Sequence, residues 1–90
     1  MAKINFTTAL QRFFPDLKSE ELEGSTVKEI LDNLEQKYPT ITDYLIDEEG
    51  SLRKHINIFV GEKMIKDRDE LSDQVAEHEE VLVFQALSGG

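Results

Sequence analysis

Cysteine is absent from all 90 residues. That removes a disulfide framework, a thiolate metal site and a cysteine nucleophile together, and it fits a cytoplasmic protein. Basic charge is scarce, with 10 Lys plus Arg against 19 Asp plus Glu and a net charge of −9. A phosphate backbone needs a basic face to neutralise it, so nucleic acid is not an expected partner. The same imbalance steers the chain toward basic protein surfaces, although most of these acids are expected simply to be solvated. Long apolar runs are missing too, so no segment reads as a membrane-crossing helix and no membrane partner is expected. The opening "MAKINFTTAL" has one lysine and no small-residue cleavage site, so no signal peptide is expected. Glycines are few, at positions 24, 50, 61, 89 and 90, and their spacing makes no phosphate-binding loop.

What remains is one small soluble domain with strong local patterns. Lys3–Leu10 alternates Ile4 and Phe6 with polar neighbours and reads as a strand. Pro15-Asp16 breaks that pattern, and a short strand over Lys18–Leu22 is expected to form a hairpin with the first. Thr26–Tyr38 carries Val27, Ile30, Leu31, Leu34 and Tyr38 at helical spacing. Thr26 and Glu29 match a capping box, and Pro39 ends the helix. A turn of helix is expected at Thr42–Ile46, followed by a polar tip at Asp47–Ser51. "HINIFVGEKMI" alternates again, with Gly61-Glu62 turning into a short strand at Lys63–Ile65. The polar stretch "KDRDELSDQVAEHEE" has Leu71 and Val75 as single anchors, and Val81–Leu87 reads as the last strand. One amphipathic helix among strands must lie on a sheet, which gives a two-layer α+β domain. The first and last strands can then sit side by side at its centre.

No enzyme-like constellation emerges. His55 and His78 have no His or Cys partner at ligand spacing, so no metal is expected. No acid lies in an apolar stretch that would raise its pKa, and there is no nucleophile elbow. The strands say more. If Ile4, Phe6, Ile56, Ile58, Val81 and Val83 face the helix, then Phe59, Leu82 and Phe84 face the other way. Asn5 and Thr7 become their neighbours on the first strand. Unless the Leu45–Leu52 loop covers them, these side chains form an exposed apolar patch of the kind that binds protein.

The sequence closes on "VLVFQALSGG". Gly89-Gly90 can adopt backbone angles closed to other residues and can enter a passage too narrow for a side chain. A glycine carboxylate is the least hindered acyl group a protein can offer. ATP-dependent adenylation would activate it toward sulfur or an amine. The alternative is a frayed end.

The strand "KINFTTAL", the helix "TVKEILDNLEQKYP", the strand "INIFVGEKM" and the ending "EVLVFQALSGG" together resemble the ubiquitin-like sulfur carriers. These include the small subunit of molybdopterin synthase and the thiamin-pathway carrier. The connection "YLIDEEGSLRKHINIFV" is similar in length and join to carriers that feed sulfur to cysteine synthesis. The resemblance implies a ubiquitin-like β-grasp fold with a mixed sheet of four to five strands and one main helix on one face. That domain would span residues 1–87, followed by a flexible tail, 88–90. It implies a carrier and co-substrate rather than a catalyst, with no bound cofactor. Its Gly90 carboxylate would be adenylated by an E1-like enzyme using ATP and Mg, then converted to a thiocarboxylate. The further partners would be a sulfur donor and a sulfur-accepting biosynthetic enzyme. Phe59 and Phe84 match the family's docking face, with Leu82 between them; Leu87 and Ser88 would lie in the partner's channel, and Gly89 would provide passage. Three positions depart from the family pattern: Gln85-Ala86 replaces a proline-containing pair, Thr7 a large apolar residue, and His78-Glu79 a Gly-Asp turn. Two other readings stand beside the carrier: a modifier joined to lysines through Gly90, and a passive interaction domain.

Overall fold

The computed structural model describes residues 1–85. Five strands form one mixed sheet: β1 (Ala2–Phe6), β2 (Glu20–Leu22), β3 (Ile56–Val60), β4 (Lys63–Met64) and β5 (Glu80–Gln85), in the order β2-β1-β5-β3-β4. β5 lies parallel to β1 and antiparallel to β3. Helix α1 (Val27–Lys37) and the short α2 (Ile41–Leu45) complete the fold. This is the expected α+β arrangement, with the first and last strands paired at its centre.

Period-two alternation decides which face of the sheet is covered. Ile4, Ile56, Ile58, Val81 and Val83 are fully buried, as are Val27, Ile30, Leu31 and Leu34 of α1. Phe6 is half-buried and packs against the same core. Each such side chain contributes about 1.5–3 kcal/mol of transfer free energy. This single interface is therefore the principal source of stability.

The entry to α1 shows how non-local the fold is. The first N–H groups of a helix have no partner within it. Here the Val27 N–H donates to the Asp73 carbonyl (3.0 Å) and the Lys28 N–H to that of Leu71 (2.9 Å). The Glu29 N–H donates to Thr26 Oγ1 (3.2 Å). The expected capping box is thus half realised. Instead of returning to Thr26, the Glu29 carboxylate accepts from the Ser25 N–H (2.8 Å) and hydroxyl (3.1 Å). The polar stretch before β5 therefore caps α1, with its anchors Leu71 and Val75 buried.

Several boundaries differ from expectation. β1 stops at Phe6, and Thr8–Arg12 forms a 3-10 turn rather than continuing the strand to Leu10. The Thr7 N–H still bonds to the Val83 carbonyl at 3.2 Å. The chain then coils, placing Leu10 in the core, where it is buried. The second strand is shorter than Lys18–Leu22, covering Glu20–Leu22. β4 is two residues long because Ile65, after bonding through its N–H to the Ile58 carbonyl (2.9 Å), turns into the core. α2 begins one residue early, at Ile41. The expected strand end at Ala86 and Leu87, and the tail 88–90, lie outside the described residues.

Candidate functional site

The side of the sheet away from α1 carries the residues singled out by alternation. Asn5, Leu82, Phe59 and Met64 stand in one row across β1, β5, β3 and β4. In the next row Phe84 stands opposite Asn57. Phe59 and Leu82 are half-buried, while Phe84 keeps 39% and Met64 51% of its surface in solvent. Phe59, Leu82 and Phe84 are thus brought together as expected. Leu45 and Leu52, the ends of the loop that could have covered them, are themselves buried in the core, and Phe84 stays exposed.

The apolar patch runs along β5 from Leu82 to Phe84, toward the strand's last residue. β5 ends with Gln85 opposite Ile56, one residue beyond Phe84. The Gln85 N–H donates to Thr7 Oγ1 (3.2 Å), so Thr7 gives polar support to the last strand residue where an apolar side chain was expected from the family pattern. Whatever docks on Phe84 therefore stands next to the point where the chain leaves Gln85. Leu87, Ser88, Gly89 and Gly90, the remaining sequence-derived site residues, lie outside the described residues.

Composition gave no sign of Arg68. Its Nη1 donates to Asn57 Oδ1 (2.9 Å) and its Nη2 to the Arg53 carbonyl (2.6 Å), with a longer contact to the Leu52 carbonyl (3.5 Å). Because Asn57 faces Phe84 across the ladder, the guanidinium borders the apolar patch at its exit end. The loop that carries it is braced by carboxylates. Asp67 accepts from the Ser72 hydroxyl and from the Glu70, Ser72 and Asp69 N–H groups. These bonds, the Ser72 hydroxyl foremost, pull its pKa down to about 2. Asp73 accepts from the Lys66 and Asp67 N–H groups. The only sequence signal was the density of Asp and Ser, residues that bind their own backbone in turns.

Other candidates stand apart. His55 and His78 are exposed, and His78 lies 3.9 Å from Glu77. Among the described residues no group of three or more His, Cys, Asp or Glu could hold a metal ion. Phe13 stacks on Tyr44 (centroids 4.9 Å apart), and Phe14 meets Tyr44 edge-on (5.2 Å). That group is built from the 3-10 turn and α2 rather than from the strands. No helix among the described residues is long and apolar enough to cross a membrane.

Comparison with known proteins gives a consistent picture. A family model described as the ThiS family matches residues 4–90. The sulfur carrier protein CysO of Mycobacterium tuberculosis is 26% identical over 89 residues, covering 97% of this chain and 96% of that protein. Among solved structures, the Amycolatopsis orientalis BexX/CysO complex contains a chain that superposes with a TM-score of 0.85 at 27% identity, each chain covered in full. SAMP1 from Haloferax volcanii superposes at 0.77, with 22% identity over 99% of this chain and 98% of that one. At that identity the likeness concerns the fold, a ubiquitin-like β-grasp.

Proposed function

The chain belongs to the ThiS family, and from that premise we propose that Gly90 is its working residue. The protein is a sulfur carrier for biosynthesis. Its C-terminal carboxylate attacks the α-phosphorus of ATP in the site of an E1-like enzyme, and pyrophosphate leaves. The resulting acyl-adenylate is a reactive carbonyl. Hydrosulfide delivered by the sulfur donor adds to it, its proton is lost, AMP departs, and a thiocarboxylate is left. The thiocarboxylate sulfur bonds to the electrophilic substrate of the acceptor enzyme, and water then hydrolyses the resulting thioester, returning the carboxylate and leaving the sulfur on the product. ATP and Mg are used by the partner, and the carrier is a co-substrate with no catalytic role of its own, working in the cytoplasm. Of the three destinations, a pterin, a thiazole and cysteine, the Tyr44–Val60 connection favours cysteine.

The single observation behind this reading is the position of the apolar patch. Phe84, on the exposed side of a central strand, stands one residue before the last ladder pair, Gln85–Ile56. A partner seated on Phe59, Leu82 and Phe84 would meet Gly89-Gly90 only a few residues away, about 3.3 Å of extended chain each.

Co-expression with the E1-like enzyme and sulfur donor of the same organism, followed by intact-mass spectrometry, tests this directly. A gain of about 16 Da, sulfur for oxygen, marks the thiocarboxylate that activated-acyl chemistry produces. Adducts on lysines would identify a modifier instead. An unchanged mass with both proteins active would refute the carrier.

A further inference from the structure

The Arg68 side chain is half-buried, and among the described residues its charge is unanswered. The chain has nearly two acids for every base, yet among the described residues no carboxylate lies within ion-pair distance of Arg68. Its partners are neutral: the Asn57 side chain and the carbonyls of Arg53 and Leu52. Its Nε–H has no acceptor among the described residues. The main chain is tied at the same place, since the Leu52 N–H donates to the Arg68 carbonyl at 2.7 Å. The Asp67 and Asp73 turns brace either side of the loop. The side chain is therefore held in one place before any partner arrives, which lowers the ordering cost of an interface.

We propose that Arg68 is a specificity residue of the docking face. Its partner is an E1-like adenylating protein whose apolar contact surface is edged by an Asp or Glu that pairs with the guanidinium. This rests on the carrier reading and adds the chemistry of the contact. A guanidinium pairs with a carboxylate through charge-assisted hydrogen bonds, and the Nε–H, which has no acceptor among the described residues, is left to donate one. A contact that desolvates Phe84 also desolvates the cation beside Asn57, and a desolvated cation without a counter-charge is costly. A carboxylate at that spot removes the penalty, whereas a Lys or Arg there would be rejected. The net charge of −9 acts at longer range and draws the carrier toward basic surfaces. The two signals together narrow the partner to a surface that is basic at large and acidic at one point beside an apolar patch.

ATP–pyrophosphate exchange by the E1-like enzyme of the same organism, with the full chain as varied substrate, tests this. Arg68→Gln is expected to raise the KM for the carrier about tenfold and Arg68→Glu about a hundredfold, with kcat within about twofold. Arg68→Lys should fall between wild type and Arg68→Gln. The gap between Arg68→Glu and wild type should shrink at high salt. Circular dichroism melts separate loss of fold from loss of recognition. If Arg68→Glu unfolds, the Lys and Gln variants decide. A wild-type KM in folded Arg68→Gln would show that Arg68 merely ties the loop to β3, overturning this inference while the carrier reading stands. No exchange with the wild-type chain would overturn both.

Discussion

Phe59 of β3 stands directly opposite Leu82 of β5, and Leu82 in turn has Asn5 of β1 at its other side. Their neighbours by one residue, Ile58 and Val83, are paired as well and point into the core. A single step along either strand thus separates the solvent side of the sheet from its buried core.

That separation is measurable. Phe84→Ala removes a side chain 39% exposed and should cost about 1 kcal/mol of stability or less. It should also raise the KM for the carrier in adenylation by an order of magnitude or so. Ile58→Ala, at a fully buried position, should cost about 2–5 kcal/mol. Urea titration of both, with exchange kinetics for the first, checks the contrast. Comparable destabilisation by both would place Phe84 in the core.

Among the described residues, the buried core and all five strands lie before Ala86. Deleting Gly89 and Gly90 should therefore abolish thiocarboxylate formation while shifting Tm by no more than about 2 °C. Retained activity in the truncated chain would remove Gly90 from the mechanism.

Two carboxylates fasten the C-terminal end of α1. Glu35 accepts from the Thr40 N–H (2.6 Å) and from the Thr42 N–H and hydroxyl (3.0 and 2.8 Å), and the Thr40 bond is the chief cause of its lowered pKa. Glu20 accepts from the Tyr38 hydroxyl (2.7 Å) and Lys37 Nζ (3.1 Å), with the Tyr38 bond chiefly lowering its pKa. Groups depressed in the folded state stabilise above their unfolded pKa, near 4.5 here. That contribution disappears as pH falls through the lower folded values. Urea midpoints should decline below about pH 4.5. Glu35→Gln should lose about 1 kcal/mol at neutral pH, solvent access limiting the effect, and show a flatter acid limb. An unchanged limb would assign the acid sensitivity elsewhere.

His78 adopts φ 66° at the turn where the family pattern has glycine. Left-handed backbone costs a non-glycine residue about 1–2 kcal/mol, partly offset by glycine's larger unfolded-state entropy. His78→Gly should raise stability by about 0.5–1 kcal/mol, read as a higher Tm. Leu71 has φ 59° but is fully buried, so Leu71→Gly should destabilise instead. A lower Tm for His78→Gly would mean that its side chain stabilises the turn.

The sequence exposed most of what is periodic. Alternation in "INIFV" and "VLVF" separated Ile58 and Val83 from Phe59 and Phe84, because a strand side chain has only two directions. Spacing alone found the α1 stripe. What escaped notice depends on contacts distant in the chain. Thr7–Leu10 has strand-like composition, and only the closing of the core over that end of the sheet makes Leu10 turn inward. Arg68 sits in a run of acids and serines, where nothing local distinguishes it from a solvated cation. Its role arises from Asn57, eleven residues earlier, and from turns that depend on Asp67 and Asp73.

The parallel pairing of β1 and β5 also has a mechanical consequence. Its bonds run from the Lys3 N–H to the Glu79 carbonyl (3.0 Å) through to the Thr7 N–H and the Val83 carbonyl (3.2 Å). A partner tugging on the strand end at Gln85 loads that ladder along its length. The bonds must yield together in shear rather than peel one by one. The body can thus act as a stiff handle while its last residues are pulled through another protein.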